Sequence, residues 1–349
     1  MLNSSFCLML CLLIVNFYAC APNGNKSTEN LLNSKIDSLL TESTPHLFNG
    51  IVLVESEGEA SYLKLQGFSD FENKTKLKLG NQFVIGSISK QITAALILLE
   101  WERGNLKLEA TIGEYLPAIT PTWKDSVTVH HLLAHTHGIV TRDGFLAFKP
   151  GEQFQYSQLG YQLLAEILEV MKGESFEQLS EAFFKQHGLS NTTHPKTKNY
   201  PSLVKGYSEN ENQKIEFEPN SFGNYVPAGG FVSTVEDLAK WNTLLYENQL
   251  LKEGTLALMS QKHATRQHPI WGTLDYGYGL TFKANENKIL IGALGFAPGF
   301  VSSCFYLPKS KTSVVILENV AQNLHDFNEV FFFHLQILDL VKAHQTGQN

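Results

Sequence analysis

Cysteine is nearly missing from most of this 349-residue chain: Cys7, Cys11 and Cys20 crowd into the first twenty residues, and only Cys304 lies beyond them. Whatever folds after residue 20 therefore carries no internal disulfide and has to be held by its core. Cys304 follows Ser302-Ser303 in a strand-like run and reads as a small buried hydrophobe rather than a nucleophile. A surplus of positive charge is missing too. With 27 Lys and Arg against 34 Asp and Glu there is no basic field for nucleic acid or an acidic surface, so nucleic acid is excluded and a small molecule is the default partner. After Phe6 to Val15 no segment is long and apolar enough to span a bilayer. Hydrophobic residues as such are plentiful, at 43% against 17% charged, which excludes disorder and allows one large domain with an insertion.

Phe6 to Val15 is too short for a transmembrane helix and about right for the apolar centre of a signal peptide. Phe17-Tyr18-Ala19-Cys20 follows and is similar to the cleavage site of bacterial lipoproteins, with a small residue before an acylatable cysteine. No Lys or Arg precedes the apolar run, and Phe17 stands where Leu is usual, so an ordinary secretory signal ending near Ala19 is the alternative. Residues 1–19 are thus expected to be a signal peptide and 20–29 a polar tether. That places the domain at the bacterial cell envelope, on the periplasmic side, attached to the membrane only through lipid on Cys20, or else secreted.

Leu31, Leu32, Ile36, Leu39 and Leu40 recur at helical spacing and predict an amphipathic helix. Ile51 to Val54 and Tyr62 to Leu65 predict a hairpin around Ser56-Glu57-Gly58-Glu59. Near the other end, Tyr278 to Phe282, Ile289 to Ile291, Val301 to Tyr306 and Ser313 to Leu317 predict further strands, and His325 to Val341 a last helix. Strands at both ends and helices between imply an α/β fold of the α+β kind, in which an antiparallel sheet formed from both ends of the chain carries an inserted helical region. The expected single domain runs over residues 30–345, with a sheet part at about 30–95 and 255–345 and a helical part at about 96–254.

The chemistry centres on Gly86-Ser87-Ile88-Ser89-Lys90. Val84 and Ile85 read as an extended approach, Gly86 as a turn, and the apolar run after it as a helix that Gly104 ends. Ser87 then sits in the first turn, where unpaired backbone N–H groups favour developing negative charge, and Lys90 lies three residues on along the same face. A serine hydroxyl needs a base, and a lysine in an apolar site gives up its proton readily enough to be one. With its flanks, Phe83 to Gln91, then Gly104-Asn105-Leu106 and Tyr115-Leu116-Pro117, the stretch resembles the first motif of the serine β-lactamase-related hydrolases. That family includes class C β-lactamases, D-alanyl-D-alanine carboxypeptidases and esterases of the same fold. The resemblance implies Ser87 as acylated nucleophile and Lys90 as its base, with no cofactor.

Pro150-Gly151-Glu152-Gln153-Phe154-Gln155-Tyr156-Ser157-Gln158 resembles the family's second motif, Tyr-x-Asn, and implies Tyr156 as a proton shuttle beside Lys90. Gln158 replaces the usual Asn and is one methylene longer. Val127 to Gly138 carries His130, His131, His135 and His137; His131 and His135 are spaced to share a metal, but no Glu follows in the zincin pattern and no third ligand is evident. The resemblance reads the same stretch as a family helix ending in Leu-Leu-x-His-Thr-Ser-Gly, with His137 in place of the serine. Pro227-Ala228-Gly229-Gly230 reads as structural, with Ser233 or Thr234 capping the helix behind it. Aligned on Pro298-Gly299-Phe300, the third motif, Lys-Thr-Gly or His-x-Gly, becomes Ala293-Leu294-Gly295. Gly295 keeps a bare edge for a substrate, the Ser87 and Phe296 backbone N–H groups are the implied oxyanion hole, and the cation is gone at Ala293. Arg142 and Arg266 are the two other cations within reach of the reading. These residues imply an acyl-enzyme serine hydrolase acting on small neutral esters. β-Lactamase or carboxypeptidase activity is the first alternative, and a non-catalytic envelope lipoprotein that keeps the fold is the second.

Overall fold

The computed structural model describes residues 24–197, 202–219, 225–283 and 290–347. The signal-peptide and Cys20 readings, and the start of the strand expected at Ile289, lie outside them. Eight strands form one sheet: β1 (Gly50–Ser56), β2 (Glu59–Gln66), β3 (Ala264–His268), β4 (Gly272–Tyr276), β5 (Thr281–Phe282), β6 (Ile291–Ala297), β7 (Phe300–Leu307) and β8 (Thr312–Glu318). Their spatial order is β2-β1-β8-β7-β6-β5-β4-β3, with every neighbouring pair antiparallel. The two ends of the chain therefore meet at β1 and β8, where Gly50 stands opposite Glu318 and Ser56 opposite Thr312.

Both faces of β1 are buried, which explains why its sequence is a continuous apolar run rather than an alternation. Val52 and Val54 point to the back, where α1 (Gly24–Leu39) and the C-terminal helix, Phe332–Thr346, bury Leu32, Ile36, Phe333, Ile337 and Val341. Ile36 is fully enclosed, a burial worth about 1.5–3 kcal/mol. Ile51 and Leu53 point to the front and join the core of the helical part. Between β2 and β3 run the helices that carry the site: α2 (Ser89–Glu102), α3 (Val129–Leu133), α4 (Gln158–Lys172) and α5 (Val235–Tyr246). Arg103 caps α2 and Gly104 follows with φ +76°, the left-handed stop expected from the sequence.

Several elements differ from the sequence reading, among them the last helix, which is split into Phe327–Val330 and Phe332–Thr346. The first helix begins at Gly24, inside the stretch read as a tether, because a helix nucleated by burial of its far end extends at one bond per added residue. The strand expected from Tyr278 shrinks to Thr281–Phe282. Gly279 has φ +72° and lies so close to the Lys90 carbonyl that a methyl group there would come within 2.8 Å of it, so the chain turns rather than extends. Strands β3 and β4 were not anticipated, since Thr265, Arg266, Gln267, Gly272 and Thr273 carry no apolar alternation.

Candidate active site

Ser87 stands at the seam between sheet and helices, and both sides fasten its approach. Phe83–Val84 pairs with Val232–Ser233, and the Ile85 N–H donates to the Phe231 carbonyl at 3.0 Å. From the sheet, the Ser302 hydroxyl donates to the Ile85 carbonyl at 2.9 Å. Gly86 has φ +53°, and a methyl group there would lie 2.5 Å from the Phe296 nitrogen, so position 86 must be glycine for handedness and for closeness alike. A tight turn, Gly86–Ile88, then presents Ser87 before α2 begins at Ser89.

Lys90 is 1% exposed and has three hydrogen-bond acceptors around its ammonium: Ser87 Oγ at 3.2 Å, Gln158 Oε1 at 2.7 Å and the Ala228 carbonyl at 2.6 Å. Burial pulls this ammonium below its ordinary value; Tyr156 opposes that pull and Arg266 adds to it. The carbonyls of Gln158 and Ala228 can only accept, so they claim two hydrogens of a neutral amine. The lone pair is left to the side of the amine that Ser87 and Tyr156 share. Gln158, first residue of α4 behind its Ser157 cap, thus makes the contact that the family's Asn makes by resemblance, its extra methylene notwithstanding.

Tyr156 is half-buried beside this pair, with Lys90 Nζ 4.6 Å from its ring centroid. Burial would push its phenol up, but the charges of Lys90 and then Arg266, together with hydrogen bonds to Ser87 and Lys90, outweigh burial and hold it below the ordinary value. The Lys90 charge favours the phenolate and the phenolate favours the Lys90 charge, so the two groups titrate as a pair that can share one proton. His135 packs its ring 4.5 Å from that of Tyr156. It follows the C-cap of α3 with φ +58°, which turns the imidazole into the site, and its Nδ1 accepts from the Ser157 N–H at 3.2 Å. Burial, then the charge of Lys90, keeps it neutral. His131 is committed elsewhere, its Nδ1 accepting from the Thr128 N–H at 3.1 Å, so the two histidines spaced for a metal do separate jobs.

A cleft of about 240 Å³ opens over Ser87, lined by Tyr156, Gln158, Arg266, Ala293 and Phe296 among others. On β6, Ala293 and Gly295 face the helical part; beyond Gly292 no strand among the described residues pairs with the free edge of β6, which lies against the Gly86–Ser87 turn. The structure therefore brings together every residue singled out from the sequence, Ser87, Lys90, Tyr156, Gln158, Ala293, Gly295 and Phe296. It adds the Ala228 carbonyl, which leaves no mark in a sequence, and of the two cations the sequence left open it places Arg266 at the cleft. The other, Arg142, is closed off by two 2.7 Å hydrogen bonds to Glu166.

The family model for beta-lactamase matches residues 41–338. The chain belongs to the beta-lactamase family. Members of this family are serine hydrolases, and the Ser87–Lys90–Tyr156 cluster lies within the matched segment. Penicillin-binding protein 4* of Bacillus subtilis is 25% identical over 319 residues, spanning 78% of this chain and 68% of that protein. Teichoic acid D-alanine hydrolase of Staphylococcus aureus is 25% identical over 336 residues, spanning 89% and 79%. Among solved structures, a D-amino acid amidase from Ochrobactrum anthropi superposes with a TM-score of 0.76 at 18% identity, over 93% of this chain and 99% of that one. The hydrolase EstCE1, described as having promiscuous acyltransferase activity, superposes with 0.72 at 21%, over 92% and 100%. At such identities these two show the beta-lactamase fold.

Proposed function

We propose that this beta-lactamase-family chain is an esterase that hydrolyses small esters with uncharged acyl groups through an acyl-enzyme on Ser87. The observation that carries the reading is the placement of a buried Lys90 Nζ 3.2 Å from Ser87 Oγ, held there by the Gln158 and Ala228 carbonyls with Tyr156 beside it. Ser87 Oγ attacks the ester carbonyl carbon while its proton passes to the Lys90–Tyr156 pair, and the Ser87 and Phe296 N–H groups hold the oxyanion. The carbonyl–oxygen bond to the alcohol breaks, and the leaving oxygen takes the proton back. Water then repeats the attack with the same pair as base, releasing the acid and restoring Ser87.

Charge and shape support the substrate class. Leu294, Phe296, Phe327 and Phe331 make an apolar lining, and Ala293 offers no cation for the carboxylate of a β-lactam or stem peptide. Among the described lining residues there is no Asp or Glu. An acyl group with a free ammonium, such as the D-alanyl group in the name of the Staphylococcus relative, finds no counter-charge here and meets Arg266 instead. The test compares kcat/KM for p-nitrophenyl butyrate, nitrocefin, a D-alanyl-D-alanine peptide and a D-alanyl ester, with fluorophosphonate labelling of wild type, Ser87→Ala and Lys90→Ala. The butyrate ester is expected to be turned over best. Both variants are expected to lose activity to a similar depth, because groups acting as a unit are not additive. A Lys90→Ala variant with most of its activity, or efficient nitrocefin turnover, refutes the proposal.

A further inference from the structure

Arg266 is the only Lys or Arg among the described residues that line the cleft, and the scheme above leaves it unused. The period of strand β3 fixes its direction: Thr265 and Gln267 are exposed, while Arg266 and His268 turn into the cleft. Its guanidinium carbon lies 4.5 Å from the Tyr156 ring centroid, close to the 4.6 Å of Lys90 Nζ from the same ring. Among the described residues no carboxylate pairs with it.

What else surrounds Tyr156 is uncharged. His135, in the loop after α3, is kept neutral by burial. Tyr161 on α4 and Tyr276 on β4 are buried phenols held well above their ordinary value, mainly by burial. Ser87 and Gln158 complete the neighbourhood and carry no charge. The balance of protons in the site is therefore set by two cations and no anion. One of the two, Lys90, can lose its proton, whereas a guanidinium cannot.

We infer that Arg266 is the positioning cation of this site, a fixed charge that keeps the Lys90–Tyr156 pair one proton short of full protonation at neutral pH. It acts from β3, at the edge of the sheet, where the resemblance would place a cation on β6 at position 293. The inference rests on the assignment of Ser87, Lys90 and Tyr156 given above. Its physical basis is that a like charge disfavours the lysine ammonium and an opposite charge favours the phenolate, so Arg266 pushes both members of the pair in the same direction. Stacked on the Tyr156 ring, the guanidinium is also engaged, which fits a cleft that takes neutral esters.

The test is the pH profile of p-nitrophenyl butyrate hydrolysis by wild type, Arg266→Ala and Arg266→Lys, with tyrosinate absorbance titrated in each and referenced to Tyr156→Phe. Arg266→Ala is expected to lose about tenfold in kcat near neutral pH with little change in KM, to recover that loss in alkaline buffer, and to show a later tyrosinate onset. Arg266→Lys, which restores a charge at the same place, is expected to retain most of the rate. An acidic limb and a tyrosinate onset that both stay where wild type has them overturn the inference. So does a KM increase confined to an ester bearing a carboxylate, such as a p-nitrophenyl hemisuccinate, which would make Arg266 a reader of substrate charge. If wild type hydrolyses no ester and the tyrosinate onset still moves in Arg266→Ala, the inference on Arg266 stands and the esterase proposal fails.

Discussion

Lys90 is held by the Gln158 and Ala228 carbonyls on one side and meets Ser87 and Tyr156 on the other, so its loss of one proton changes the bonds it makes as well as its charge. That makes Gln158 more than a filler. Gln158→Asn withdraws the amide by one methylene from a 2.7 Å bond to a buried amine, and a hydrogen bond to a charged group is worth about 1.5–3 kcal/mol. The expected result is a fall in kcat of about tenfold to a hundredfold with the fold intact, read by steady-state kinetics and circular dichroism. Tyr156→Phe removes the partner in the shared proton and is expected to lower kcat by about 10² to 10⁴. A change in KM alone would leave the ring as packing beneath the site. The pairing of Ser87 with Lys90 is visible in the sequence because both lie on one short segment. The grip of Ala228 on Lys90 is not, because a carbonyl is common to every residue and only the tertiary fold aims this one.

Strand β6 and the Gly86 turn form a close contact built on two missing side chains. Gly86 lies against Phe296 and Gly295, while Gly295 lies against the Ile85 carbonyl and the Ser302 hydroxyl. A methyl group at position 295 would have to displace backbone, so Gly295→Ala is expected to separate the free edge of β6 from Ser87. Fluorophosphonate labelling is expected to be lost with it, while the far-UV spectrum, dominated by strands and helices elsewhere, changes little. Unimpaired labelling would show that the edge gives way cheaply. The sequence pointed to Gly295 through the resemblance alone, and the structure supplies the reason in distances. The β3–β4 hairpin had no such signal. Its strands are polar and sit at the sheet edge, so their pairing follows from β5 and β6 being in place rather than from any alternation of their own.

Across the whole molecule, one buried polar cluster ties distant parts of the chain. His334 on the C-terminal helix bridges Ser303 on β7 at 3.0 Å and Glu318 on β8 at 3.1 Å, and the Asn49 N–H reaches Glu318 at 3.4 Å. Burial pushes the Glu318 carboxyl up to about 7, above its value in an unfolded chain. The native state then holds more protons between about pH 4.5 and 7, so this group's contribution to stability is full at the acidic end and is lost as pH rises through that window. His334, lowered by burial to about 3, works in the opposite sense: its contribution is present above its ordinary value and fades as pH falls. Glu318→Gln removes the first effect and keeps the second. Compared with wild type, the variant is expected to gain stability from about pH 5 to pH 7.5, by an amount on the order of 3 kcal/mol, measured as the difference in urea unfolding free energy. A difference independent of pH would show that the carboxyl is not perturbed by its burial.

The pairing of β1 with β8 also has a consequence in time. A ribosome delivers β1 long before β8, so the middle of the sheet stays open until the later strand has emerged. Ser87 and its α2 neighbours exist as chain long before β6 arrives to place Phe296 and Gly295 against the Gly86 turn, a contact that waits for β6 to dock on β7. On the proposed scheme, a newly made chain stays chemically silent until β6 has docked beside Ser87. Its folding is governed by contacts far apart along the sequence, the class that forms most slowly.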